Sequence, residues 1–295
     1  MTFGSRWLRR WSVLALFCAL GAFASPLHAQ SSSSSSSGQN WFIAFFSSWD
    51  LRALRAQVDQ PNWLTPVVTS TARLKQEIRY DMSWQSAGDG PVTAANYGGS
   101  KGFTTIPIDR VEVSINPPPY VVHGGSTARD GFGDFSILTK LRLFAASRSH
   151  GDYALTLFLN TSIPTGSYKN GSPHSVLTPT IAGGKGLGDF VYQGTFGADL
   201  PSSQGSILGR RMIWNNALQY RGFGKLQPEM EVSSNFFKGG PSDGRSQVYL
   251  APGISAGRFA IHGHVTLTIG AGYEIAATHF HSFEHQGIFS VRLPF

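Results

Sequence analysis

The stretch that decides the fold is Thr71-Ala72-Arg73-Leu74-Lys75-Gln76-Glu77-Ile78-Arg79-Tyr80-Asp81-Met82-Ser83-Trp84. Its residues alternate. Ala72, Leu74, Ile78, Tyr80, Met82 and Trp84 share one face, with only Gln76 out of place. Arg73, Lys75, Glu77, Arg79, Asp81 and Ser83 share the other. Period 2 is the signature of a strand with two unlike faces. A run of this length is long for a soluble sandwich, where about 5–6 residues is typical. It suits a tilted bilayer-spanning strand of about 9–11 residues.

Similar segments recur at 92–99, 106–116, 133–145, 152–163, 175–183, 188–199, 211–221, 226–237, 246–256, 259–275 and 284–295, which makes twelve with the first. Between Ile108 and Val111 the phase slips, as at a bulge. The connections at 257–258, 222–225, 184–187 and 146–151 are short and rich in Gly or Ser. Those at 276–283, 238–245, 200–210, 164–174 and 117–132 are long. Short turns at one end and long loops at the other are the mark of an outer-membrane barrel. The expectation is an all-β fold: a transmembrane antiparallel β-barrel of about 12 strands, of the bacterial outer-membrane type.

Composition agrees. Of 295 residues only 14% are charged, 34 are glycine and 37 are aromatic. About 25% charged and 7% glycine is usual. Disorder does not go with so many aromatics, and one cysteine cannot make a disulfide framework.

Met1–Ala29 reads as a signal peptide. Arg6, Arg9 and Arg10 precede the apolar run Trp11–Phe23, and Leu27-His28-Ala29 ends it. It holds three of the 24 basic residues and no acid, so the chain beyond Ala29 carries a net charge nearer +4 than +7. That remainder has no Lys/Arg-rich run, and no nucleic-acid partner is expected. Residues 30–70 comprise the serine tract Ser31–Ser37, the apolar Trp41–Phe46 and a short helix expected over Trp49–Val58, together a leader and a periplasmic or plug-like segment. The barrel is expected over 71–295.

The chain ends Gly287-Ile288-Phe289-Ser290-Val291-Arg292-Leu293-Pro294-Phe295, with Gly287, Phe289, Val291, Leu293 and Phe295 on one face. This resembles the C-terminal strand by which barrel-assembly machinery recognises outer-membrane barrels. Further segments resemble the outer-membrane transporter family named after the meta-pathway of phenol degradation. They are Asp109-Arg110-Val111-Glu112-Val113 running into Pro117-Pro118-Pro119-Tyr120, then Gly131-Phe132-Gly133-Asp134-Phe135, then Ser162-Ile163-Pro164-Thr165-Gly166-Ser167-Tyr168. The resemblance spans about residues 70–295. It implies a barrel and transport of hydrophobic or aromatic solutes, and supplies no catalytic residue.

Charges cost about 2–4 kcal/mol on the lipid face at midplane, so parity assigns them to the lumen. The expected lumen-lining set is Arg73, Lys75, Glu77, Arg79, Arg110, Glu112, Lys140, Arg142, Arg221, Glu229, Glu231, His262 and His264. These line a solute pathway or pack the lumen shut with ion pairs. Glu229 and Glu231 have the spacing of an acid/base pair, but with this many cations nearby they read as ion-pair partners. His279 and His281, near Glu284 and His285, have i, i+2 spacing on an extended segment; no metal is assigned to them. Gly183-Gly184-Lys185-Gly186 lacks the spacing and following hydroxyl of a phosphate loop. Tyr80, Trp84, Tyr192, Trp214, Tyr220 and Tyr273 read as interfacial girdles. No cofactor and no enzymatic step is expected. The function read from these features is passive transport, with outer-membrane lipid, the assembly machinery and a small solute as partners. The alternatives are an outer-membrane lipid-modifying enzyme and a closed structural or adhesive barrel.

Overall fold

The computed structural model describes residues 49–87, 92–99, 102–125 and 128–295, all within one structural unit, Phe46–Phe295. The signal peptide, the serine tract and Trp41–Phe46 lie outside the described residues. A helix, α1 (Trp49–Val58), falls where the helix was expected, and fifteen strands succeed it. These are β1 (Glu77–Ser86), β2 (Val92–Tyr97), β3 (Phe103–Ile108), β4 (Val111–Asn116), β5 (Tyr120–His123), β6 (Gly131–Phe132), β7 (Phe135–Ala146) and β8 (Tyr153–Ile163). Then come β9 (Val176–Leu187), β10 (Phe190–Pro201), β11 (Arg210–Tyr220), β12 (Leu226–Lys238), β13 (Ser246–His262), β14 (Val265–Ala276) and β15 (His285–Pro294), with a one-turn helix α2 (Gly205–Leu208) before β11.

Every pairing is antiparallel, and β15 pairs with β1 to close the ring. Three staves of the wall are broken in two: β2 with β3, β4 with β5, and β6 with β7. Counted as staves, the barrel has the expected twelve. Closure leaves no edge, which a bilayer requires because it offers no water to unpaired backbone.

The twelve are not composed as the sequence suggested. The phase slip after Ile108 is a two-residue turn, Asp109-Arg110, joining β3 to β4. The connection at 257–258 is also reassigned. β13 runs on for 17 residues, and its turn is Gly263-His264. At Gly257 and Arg258 the strand bulges instead, with Arg258 at φ 62°. The turn placed at 184–187 is Gly188-Asp189, and the four residues Gly183-Gly184-Lys185-Gly186 lie inside β9.

The alternating stretch 71–84 is corrected as well. Only Glu77 onward is strand; residues 71–76 carry no strand pairing and lie inside the barrel. Leu74 is fully buried with Ala53, Ala56 and Ile106, Trp49 packing alongside. Its N–H and C=O are both taken by the Gln60 side chain, at 2.9 and 2.7 Å. A segment bonded this way is not available to a neighbouring strand.

The wall is inside out relative to a soluble protein. Arg79, Arg292, Lys140, Gln193, Gln219, Glu112 and Glu231 are among the most buried large side chains, while Ile181, Phe196, Trp214, Leu218, Met230 and Ile254 are exposed on the outer face. On the closing seam, Leu293, Val291 and Phe289 stand opposite Ile78, Tyr80 and Met82. Near the short turns Phe190, Tyr220 and Phe223 contact one another at about 5 Å, as in an interfacial belt.

Glycines on the inner face make room for residues 59–76. A Cβ at Gly184 would lie 2.6 Å from the Trp63 ring, and Cβ atoms at Gly270 and Gly272 would crowd Val67 at 3.1 and 3.2 Å. Gly184→Val is therefore expected to destabilise the folded barrel by about 1–3 kcal/mol through overpacking. The denaturant midpoint in vesicles measures this, and adding Trp63→Ala should recover part of the loss.

The barrel lumen as candidate functional site

Residues 59–76 enter the lumen as extended chain, and extended chain cannot bond its own backbone. Buried N–H and C=O groups need partners. Here lumenal side chains of the wall supply them.

The bend at Pro66–Thr69 shows the arrangement. Glu229 Oε1 accepts from the Val67 N–H at 3.0 Å, and Glu231 accepts from Val68 and Thr69 at 2.7 and 2.6 Å. On the carbonyl side, Arg79 donates to Val67 O at 2.8 Å and Arg292 donates to Thr65 O and to Pro66 O, the latter at 3.0 Å. Carboxylates of β12 take the donors, and guanidiniums of β15 and β1, three and four staves away, take the acceptors. A chain of amides supports Glu229: Gln219 donates to it at 2.7 Å and receives from Gln193 at 2.8 Å. Gln193 in turn accepts from Thr71 Oγ at 2.6 Å.

A second anchor sits nearer the short turns. Trp63 Nε1 donates to Asp152 at 2.9 Å, and Asp152 is paired with Arg221 at 2.6 Å. The Trp63 ring packs with Ala72, Ala154, Phe158, Ala182 and Val191, an apolar island in a polar lumen. The third anchor is the buried pair Lys140–Glu112 at 2.9 Å. Lys140 also donates to Thr71 O at 3.2 Å and lies 4.8 Å over the Phe158 ring. Arg142 donates to Ala56 O in the last turn of α1, where carbonyls lack intrahelical partners.

The sequence-derived set is thus divided. Glu77, Arg79, Glu112, Lys140, Arg142, Glu229 and Glu231 are buried on the inner face of the wall. Arg73 and Lys75 belong to the inner segment, where Arg73 donates to Trp63 O and Lys75 pairs with Glu77. Arg221 closes the Asp152 anchor. Arg110 is a correction: it occupies the β3–β4 turn and is exposed, because the chain reverses where parity assumed a continuing strand. His262 ends β13 and His264 lies in the β13–β14 turn, and both are exposed too, since that turn falls six residues later than expected; they border a cavity at its rim. Among the described residues no three His, Cys, Asp or Glu side chains are grouped to hold a metal. His281 Nδ1 faces Thr278 O at 2.8 Å, and His285 stacks on Tyr273.

Asp152, Gln193, Gln219, Arg258, Glu274 and Arg292 lie outside that set. Arg292 was legible, since its parity opposes Phe289, Val291 and Leu293. Asp152 and Arg258 carry no such signal. Both have positive φ and look like turn residues or turn neighbours.

Among the described residues, cavities remain beside the inner segment, and three of them follow one another along the lumen. One of about 420 Å³ opens toward the long loops, between Asp81, Asp134, Asn160 and Glu274. A middle one of about 200 Å³ is bordered by Asn160, Lys140, Glu112 and Thr195. One of about 670 Å³ lies at the short-turn end. Asn160 borders the first two, and Thr65, Lys75 and Glu77 border the last two.

No protein-family model matches the chain, and no curated protein does. Among solved structures it is similar to an outer-membrane channel from Pseudomonas putida F1, at 13% identity and TM-score 0.50, over 79% of this chain and 100% of that one. The porin NanC is also similar, at 8% identity and TM-score 0.46, over 75% and 98%. The first likeness bears on the fold: a closed twelve-stranded antiparallel β-barrel of the outer-membrane type.

Two variants test the anchors. Removing Glu231 leaves the buried Thr69 N–H unpaired, at about 1–3 kcal/mol, and the half-buried Val68 N–H as well. Glu231→Ala should therefore expose the 60–76 segment to protease while the barrel itself stays folded. Lys140→Met alone should cost about 3–5 kcal/mol by stranding the Glu112 carboxylate, and Lys140→Met with Glu112→Leu much less. Chemical unfolding of the reconstituted protein compares them.

Proposed function

We propose that the protein is a passive outer-membrane channel for small solutes. The observation that carries this reading is the series of three cavities running past the inner segment from the long-loop end to the short-turn end, each sharing lining residues with the next. On this reading the long loops face the exterior and the short turns face the periplasm, which is where both barrel ends lie. The C-terminal strand, with Gly287, Phe289, Val291, Leu293 and Phe295 on one face, is the part that assembly machinery would recognise, and the apolar outer belt meets lipid. The resemblance to the family named after the meta-pathway of phenol degradation supports hydrophobic or aromatic compounds as the cargo. No enzymatic step is proposed: the paired carboxylates Glu229 and Glu231 hold backbone N–H groups.

Passage is restricted where Thr65, Lys75 and Glu77 separate the middle and turn-side cavities. Charged side chains and pore width would set selectivity there. A second reading, a closed structural barrel, is favoured by the anchoring of residues 59–76 in the lumen.

Planar-bilayer recording and liposome swelling on the refolded protein separate the two. A channel of this form gives small, reproducible conductance steps, and Lys75→Ala enlarges them by removing the ion pair at the restriction. Absent conductance, in barrels shown to be folded by heat-modifiable gel migration, would leave the closed reading standing.

A further inference from the structure

The turn-side cavity has a lining whose cations outnumber its carboxylates. Four cations border it, Arg73, Lys75, Arg258 and Arg292, and Glu77 is its one side-chain carboxylate. Lys75 already engages Glu77. The three arginines have carbonyls instead of carboxylates. Arg73 and Arg258 both donate to the same oxygen, Trp63 O, which brings two like charges together. Arg292 donates to Thr65 O and Pro66 O.

Among the described residues none of these arginines has a carboxylate within 4.0 Å, the distance within which the ion pairs of this barrel form. The buried Arg73 Nε also has no acceptor among them. A carbonyl satisfies a donor but does not neutralise a formal charge. Carboxylates lie farther off, Glu77, Glu112 and Asp152 about Arg73 and Glu77, Asp81 and Glu229 about Arg292; buried charge balanced only at a distance is costly, and an entering anion relieves the cost. Elsewhere on the inner segment the anchoring cation Lys140 is paired with a carboxylate, whereas these three arginines anchor it through carbonyls.

The lining also includes apolar side chains, Leu54 of α1, Val265 of β14 and Phe295. Leu54 is 55% exposed, so its side chain is free to meet a ligand. The volume of about 670 Å³ is that of a small-molecule site.

We propose that this cavity binds a small organic anion with an apolar body, of the aromatic carboxylate class. The carboxylate sits against Arg73, Arg258 and Arg292, and the ring lies on the α1 and Phe295 side. The chemistry rests on the lining; that the bound anion is also a transported solute rests on the channel reading.

The test is calorimetric titration of the full chain, refolded in detergent, with benzoate, benzyl alcohol and inorganic phosphate. Benzoate should bind at least about tenfold more tightly than benzyl alcohol, the difference of one charge-assisted interaction. It should also bind more tightly than phosphate, which has charge but no apolar body. Arg258→Gln should lose that preference. Should Arg258→Gln not fold, Leu54→Glu on the exposed face of α1 puts a carboxylate in the cavity and should weaken benzoate by a similar factor. Lys169→Gln, in the long loop after β8, should change nothing. Equal affinity for benzoate and benzyl alcohol, phosphate binding as tightly as benzoate, or benzoate binding unchanged in folded Leu54→Glu would each overturn the proposal. The two readings fail separately. Benzoate binding in a barrel without conductance keeps the site and removes the channel. Conductance without benzoate binding does the reverse.

Discussion

An extended chain lying inside a barrel has buried N–H and C=O groups and no neighbouring strand to bond them. The rest of this structure is arranged around that constraint. Glu229 and Glu231 take the donors of Val67, Val68 and Thr69, while Arg79 and Arg292 take the acceptors of Thr65, Pro66 and Val67. In effect a side-chain ladder replaces a backbone ladder. Charged groups suit the task, because hydrogen bonds to ions are stronger than neutral ones and leaving a buried donor unpaired is expensive. The same residues explain why the wall carries so much buried charge without becoming unstable. Their charged groups bond to one another across the wall or to the inner backbone.

Room for the inner segment comes from the glycines. Gly184 accepts the Trp63 ring, where a Cβ would collide, and Gly270 and Gly272 lie against Val67, where a Cβ would crowd it. The high glycine content therefore has a use beyond turns. The bulge at Arg258 belongs to the same design: it interrupts β13 and sends a guanidinium to the carbonyls of Asn62 and Trp63 at 2.9 and 3.0 Å. On the channel reading proposed above, passage uses what this packing leaves open, a string of cavities beside the inner chain in place of one wide pore. Solute size and charge would then be decided by side chains that also hold the inner segment in place, linking permeability to stability.

Much of the wall was legible in the residues. Parity put Glu77, Arg79, Glu112, Lys140, Glu229 and Glu231 on the inner face and Tyr80, Trp214 and Tyr273 on the outer one, because pleating alternates side chains whatever the rest of the fold does. Loop lengths ordered the staves. Boundaries were less legible. Gly257-Arg258 and Gly183–Gly186 look like turns, since glycine is the usual turn residue, but at Gly184 it answers a steric demand from Trp63, more than a hundred residues away. Arg73 and Leu74 continue the alternation of the first strand and yet belong to the inner segment. Nothing in the local pattern distinguishes a residue in the wall from one lying against it.

Alternation, loop spacing and a terminal aromatic strand were enough to specify a closed antiparallel barrel with a polar interior, because these are local properties of a chain meeting lipid on one side. Tertiary structure alone decided that residues 59–76 fill the interior, that Asp152, Gln193 and Arg292 hold them, and that a cationic cavity remains at the short-turn end. Those outcomes depend on contacts such as Glu231 with Val68, 163 residues apart. A partner at that distance is selected by the barrel's closure, which brings all twelve staves around one axis, and no window of sequence contains it.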